Sequence, residues 1–200
     1  MSRLPDRLLI VTDRHQCAGP LLAQVEALLT AGAHWIWLRD KDLPGAERLA
    51  LARQLREATA HHRATLTIGA DLALAEAVEA DGVQLPAGAD IAAARRRLGP
   101  TALIGVSCHG GTEARRALAA GADYATLSPI FASASKPGYG PALGTGALAA
   151  ATPSVALGGV TPETAGACLA AGASAVAVMG EAMRAADPAA FLAAMRRALA

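Results

Sequence analysis

Aromatic side chains are scarce in this sequence: 3% of 200 residues, as two Trp, two Tyr and two Phe. A chain so poor in rings and so rich in alanine implies many close-packed helices, and by itself no function. Charge of one sign is also lacking. Eighteen Lys and Arg stand against 17 Asp and Glu, and charged residues make up 18% of the chain. That balance excludes a broad basic face for nucleic acid or another polyanion, so any bound anion must be held locally. The three cysteines, Cys17, Cys108 and Cys168, form no CxxC pair, which argues against a disulfide framework and against zinc. No apolar run reaches the length of a membrane span, and the opening MSRLPDRLLIVTDRH lacks the layout of a cleavable signal. The expectation is a cytoplasmic protein with no membrane partner, folded as one domain over residues 1–200, without linker or low-complexity segment.

What is abundant is a repeated junction. Ala31-Gly-Ala-His-Trp-Ile-Trp, Ala120-Gly-Ala-Asp-Tyr-Ala-Thr and Ala171-Gly-Ala-Ser-Ala-Val-Ala each end a helical run, place Gly where a left-handed cap is wanted, and start an apolar strand two residues on. Glu79-Ala-Asp-Gly-Val-Gln-Leu looks like a looser copy, with Gly82 in the capping role. Strands are predicted at 8–12, 35–39, 65–69, 82–85, 103–107, 124–128, 154–157 and 175–179, with helical patterns between them and a closing helix over 188–199. Eight alternating units in so short a chain predict an α/β fold, a compact (β/α)8 TIM barrel; a doubly wound open sheet is the structural alternative.

In such a barrel chemistry sits at the C-terminal strand ends. Strand 7 runs into Gly158-Gly-Val-Thr-Pro-Glu163 and strand 8 into Met179-Gly180. Thr161 suits a helix N-cap and Pro162 the first helical position. Glycines there let backbone N–H groups approach an anion, so these ends predict a nook for one phosphate; tight turns are the plainer reading. Arg39 and Lys41 share the strand face of Trp35 and Trp37, so Trp37 should lie beneath Arg39 in the lumen. The two cations either hold a second anionic group or form an exposed pair balanced by Asp40 and Asp42. His109, two residues past a strand end, is the candidate for proton transfer, because an imidazole both gives and takes protons near neutrality; a capping role is the alternative. The stretch 128–144 is built from small residues, Pro and Gly with Lys136 as its one charge. It suits a lid, in which Ser133 and Ser135 offer hydroxyls and Lys136 a cation, or a plain loop.

These residues resemble the thiamine phosphate synthase superfamily along nearly the whole chain. The resemblance rests on Val11-Thr-Asp-Arg14, Leu38-Arg-Asp-Lys41, Ala80-Asp-Gly-Val-Gln-Leu85, Gly105-Val-Ser-Cys-His109, Gly121-Ala-Asp-Tyr124, Ser128-Pro-Ile-Phe131, Ser133-Ala-Ser-Lys136, Leu157-Gly-Gly-Val-Thr161 and Ala171-Gly-Ala-Ser-Ala-Val-Ala-Val178. It implies a (β/α)8 barrel and one of two activities. The synthase joins a pyrimidine diphosphate to a thiazole phosphate with magnesium. The tautomerase converts the product of thiazole synthase into an aromatic carboxythiazole phosphate without a metal.

Carried over by position, Ser133 and Ser135 stand for the synthase's loop threonines and Gly159 for its glycine. Met179 and Gly180 replace an aliphatic residue and a serine. Arg39, Lys41, Ser107 and Lys136 are retained. The diphosphate side departs from the synthase pattern: Gly69-Ala70 stands for Asn-Asp, Ala89 for the second metal-binding Asp, and Trp37 for a glutamine. Asp71 and Asp90 fall one residue late and suit N-caps. Gln84, in Val83-Gln-Leu-Pro86, and His109 match the tautomerase. The resulting expectation is an isomerase, a metal-independent thiazole tautomerase with no cofactor. His109 shuttles the proton; Gly159, Met179, Gly180, Ser133, Ser135 and Lys136 hold or cover the phosphate; Trp37 and Gln84 line the pocket. The alternatives are a transferase, thiamine phosphate synthase, which would need Mg²⁺, and a non-catalytic sensor of a phosphorylated small molecule.

Overall fold

Eight apolar runs become eight parallel strands because each is buried on both faces. The computed structural model describes residues 4–132 and 141–200. In chain order they form β1 (Leu8–Val11), α1 (Leu21–Thr30), β2 (Trp35–Leu38), α2 (Gly45–His61), β3 (Thr65–Gly69), α3 (Leu72–Ala77), β4 (Gly82–Leu85) and α4 (Ile91–Leu98). There follow β5 (Leu103–Cys108), α5 (Gly111–Ala119), β6 (Tyr124–Leu127), β7 (Ser154–Leu157), α6 (Pro162–Ala170), β8 (Ala175–Val178), α7 (Gly180–Met183) and α8 (Pro188–Ala198). Neighbouring strands pair in sequence order, and β8 closes on β1 through Leu8 opposite Val176. The result is the (β/α)8 barrel that the alternating pattern predicts. Among the described residues, no helix is long and apolar enough to cross a membrane.

Strand alternation sorts the core into two parts. Leu8, Ile10, Ile36, Leu38, Leu66, Ile68 and their like face outward into the helices. Leu9, Val11, Trp35, Trp37, Leu103, Tyr124, Val155, Ala175 and Ala177 face the lumen. Both tryptophans and one of the two tyrosines are therefore spent inside the barrel, where Trp35 meets Tyr124 edge-on with ring centroids 5.0 Å apart.

The repeated junctions behave as predicted at Gly32, Gly121 and Gly172, each with φ near +100°. At the looser copy the prediction fails. The left-handed residue there is Glu79, at φ +50°, and Gly82 is already strand. Gly82 is required for a different reason, since a Cβ on it would run into the Leu103 carbonyl of β5. The aspartates of the Ala-Asp phrases have a structural task. Asp81 accepts from Leu66 N at 2.8 Å and Asp123 from Ile104 N at 2.7 Å. They pair with Arg56 and Arg95, tying helices to strand starts at the N-terminal end of the barrel. Between β6 and β7 the expected helix is instead a 3₁₀ turn, Thr145–Ala150. Gly144 before it, Gly146 within it and Pro153 beyond it all disfavour a longer α-helix here.

Gly82→Ala should lower the thermal midpoint sharply, because overpacking here meets backbone and costs about 3 kcal/mol, or about 2–4 °C per kcal/mol in a chain of this size. Gly45→Ala, whose Cβ would meet nothing within 4 Å, should leave the midpoint unchanged or slightly raised. Circular dichroism melts of the two variants provide the comparison.

Candidate active site

At the C-terminal mouth, the lip of β1 and β2 is a buried hydrogen-bond chain. Thr12 Oγ1 donates to Asp40 Oδ2 at 2.5 Å and accepts from the backbone N–H of Arg39 at 3.0 Å. Asp40 Oδ1 also accepts from Arg14 N at 2.8 Å. Asp42 takes both terminal nitrogens of Arg14 at 2.7 Å and Nε2 of His15 at 2.7 Å. The Arg14 bonds, then His15, hold the Asp42 carboxyl well below the usual carboxylate range. The idea that Asp40 and Asp42 balance Arg39 and Lys41 is therefore corrected, because Arg14 and Thr12 occupy those carboxylates. Among the described residues no carboxylate reaches Arg39 or Lys41. Arg39 is half-buried and Lys41 exposed.

The β3 and β4 ends tell whether Mg²⁺ fits. Asp71 caps α3 through Leu74 N at 2.9 Å and pairs with Arg48 at 3.1 Å. Arg48 also donates to the Gly69 carbonyl at 2.7 Å. Asp90 caps α4 through Ala93 N at 2.8 Å. Both aspartates are thus the N-caps that the sequence suggested. Ala70 and Ala89 offer no side-chain oxygen to a hard cation, which needs carboxylates. Among the described residues no cluster of three or more His, Cys, Asp or Glu could hold a metal. These residues do not fit the ion.

Trp37 packs against the end of β3. It is 6% exposed, and its Nε1 lies 2.9 Å from where a Cβ on Gly69 would be. Any side chain at 69 would displace the indole. Trp37 Nε1 is buried without a hydrogen-bond partner, a state that costs about 1–3 kcal/mol. On the next strand the buried Gln84 donates through Nε2 to the half-buried Ser107 Oγ at 3.0 Å and to the buried Thr126 Oγ1 at 3.2 Å.

His109 stands just beyond β5. Its Nδ1 lies 2.9 Å from the Ser128 carbonyl. A carbonyl only accepts, so Nδ1 carries the proton and the neutral ring has its lone pair on Nε2. Its backbone N–H is held by Glu113 of α5 at 2.7 Å. The neighbouring Cys108 is no nucleophile: burial pushes its thiol up to about 11, so it stays protonated at neutral pH.

The remaining quadrant is glycine. Gly158 and Gly159 both have positive φ, +92° and +65°, and pack against the chain leaving β6, where Phe131 N donates to the Gly158 carbonyl at 2.9 Å. Thr161 and Pro162 start α6 as predicted, with Thr161 N bound to Thr164 Oγ1 at 2.9 Å. Met179 closes the lumen beside Gly180. The Arg184 guanidinium, bonded to Gln16 Oε1 and Glu181, lies over Gly180, where a Cβ would meet it. Ser133, Ser135 and Lys136 lie outside the described residues. Arg39, Trp37, Gln84, Ser107, His109, Gly159, Met179 and Gly180 are all placed at the one mouth. Sequence reading gave no role to Thr12 or Arg184, and of its two alternatives for Arg39 and Lys41 the one that set Asp40 against them does not hold. No local pattern marks a threonine that binds 28 residues ahead or an arginine folded back over a glycine.

Comparison with known proteins agrees with this architecture. The thiamine monophosphate synthase family model matches residues 8–182. A Geobacter sulfurreducens protein with the provisional name thiamine-phosphate synthase is 42% identical over 195 residues, covering 94% of this chain and 92% of the relative. A Moorella thermoacetica thiamine-phosphate synthase is 38% identical over 192 residues, covering 92% and 91%. The solved thiamine phosphate pyrophosphorylase of Pyrococcus furiosus superposes with a TM-score of 0.85 at 29% identity, covering 96% of this chain and 95% of that one. These relatives bear the name of the condensing enzyme, so the expected tautomerase finds no support in their names. The chain belongs to the thiamine monophosphate synthase family.

Proposed function

We propose that this chain is a thiamine-biosynthesis enzyme acting on a thiazole phosphate, and that the step at its mouth is proton transfer without a metal. The observation that carries the proposal is the geometry of His109. Its Nδ1–H bond to the Ser128 carbonyl fixes the tautomer whose Nε2 can take a proton from a ring carbon and return it elsewhere on the same molecule. Such a shift leaves an isomer and needs no second substrate. One positioned imidazole supplies about 10²–10⁴-fold of rate. The ester phosphate would sit against the backbone N–H groups of the Gly158–Gly159 turn and the start of α6, where the helix dipole favours negative charge. Arg184 across Gly180 adds a cation on the same side.

The relatives' names support a second reading, thiamine-phosphate synthase, a transferase that condenses two substrates. They favour it over the isomerase, and the retained Arg39 and Lys41 suit a diphosphate. Against it stand the capped, Arg48-paired Asp71, the capped Asp90 and the indole over Gly69.

Two measurements separate these. Conversion of the non-aromatic thiazole phosphate to its aromatic isomer should proceed equally in Mg²⁺ and in EDTA. Robust formation of thiamine phosphate that requires Mg²⁺ would establish the condensation instead, and tight phosphate-ester binding with neither turnover would indicate a sensor. His109→Asn should lower the isomerisation rate by about 10²–10⁴-fold with an unchanged thermal midpoint. Full activity in that variant would remove His109 from the mechanism.

A further inference from the structure

We infer that Trp37 is a specificity-determining residue: its indole N–H is the donor for one oxygen of a ligand carboxylate, whose negative charge Arg39 balances. This rests on the reading that a small phosphorylated heterocycle enters the mouth, and it adds what the far side of that heterocycle carries.

Trp37 is in register with Thr67, yet its Nε1 lies against the Cα face of Gly69, two residues nearer the mouth. The polar edge of the ring therefore leans toward the opening. The indole is 94% buried by its 6% exposure, and Nε1 has no partner. Most buried N–H groups in folded proteins are partnered, so an orphan directed at a binding mouth points to a missing acceptor. Trp35 serves as an internal comparison. Its Nε1 is orphaned too, but it is fully buried one layer deeper and sealed against Tyr124, where no ligand from the mouth passes first.

Arg39 lies on the same strand face, two residues further out. The residue is half-buried and meets no carboxylate among the described residues, while its backbone is pinned by Thr12. A guanidinium fork and a single neutral donor on one strand face suit a planar carboxylate. A bulkier diphosphate would compete with the indole for space.

The test uses the two indole N–H resonances of the ¹⁵N-labelled protein, assigned with Trp37→Phe, which keeps the ring volume class and removes the donor. Thiazole-2-carboxylate is the probe; its carboxamide and inorganic phosphate are the controls. The Trp37 resonance should move downfield saturably with the carboxylate and stay still with phosphate. Trp37→Phe should weaken carboxylate binding by about tenfold or more, the loss expected for a hydrogen bond to a charged group, and leave phosphate affinity unchanged. An unmoved resonance, no detectable carboxylate binding, or equal affinity in Trp37→Phe would overturn the assignment. Equal binding of the carboxamide would overturn the share given to Arg39. If the variant does not fold, the wild-type titration decides alone. Failure of the isomerisation assay with a positive titration would sink the proposed reaction and leave this subsite standing; the reverse result would do the opposite.

Discussion

The volume of the barrel lumen is the constraint on which the rest of this structure depends. An eight-stranded barrel leaves room for side chains and little else. Here β2 and β6 place Trp35, Trp37 and Tyr124 inside it. The strands beside them leave room at the points of contact. Gly105 lies where a Cβ would collide with Tyr124, Gly69 where it would crowd Trp37, and β8 contributes only Ala175 and Ala177. Bulk and absence are two halves of one packing solution, because close-packed interiors tolerate little excess volume.

That solution reaches into function at the Trp37–Gly69 contact. Trp37 and Gly69 are coupled by this contact. An indole at 37 requires glycine at 69. The left-handed turn at Ala70, φ +56°, is a conformation that Asn or Asp tolerates more readily than alanine. At the neighbouring lip the buried Thr12–Asp40 pair holds the Arg39 backbone in place.

The fold was legible because its signals are local. Apolar runs of four or five residues, the Gly caps at 32, 121 and 172 and the N-caps at Asp71, Asp90 and Thr161 all operate within one turn of chain. The strand parity that sent Trp35 and Trp37 to one face was also readable. The partners of Asp40 and Asp42 were not. Sequence adjacency suggested Arg39 and Lys41, whereas the barrel brings Arg14 from the neighbouring strand end, and tertiary proximity outranks adjacency. Gly82 was misread for a related reason: its need for a bare Cα comes from β5, across the sheet, and not from its own turn. The choice of reaction is harder still, since it turns on what Trp37 excludes.

The chain leaving β6 returns to the point from which it departed. Leu143 N donates to the Pro129 carbonyl at 2.8 Å and Gly144 N to the Ile130 carbonyl at 3.0 Å. The described ends of this connection are thus clasped to each other and also to β7, whose Leu157 carbonyl takes Ile130 N at 2.9 Å. Backbone pairing therefore runs on past the last residue of β6, and the rim beside Gly158 is braced from two sides.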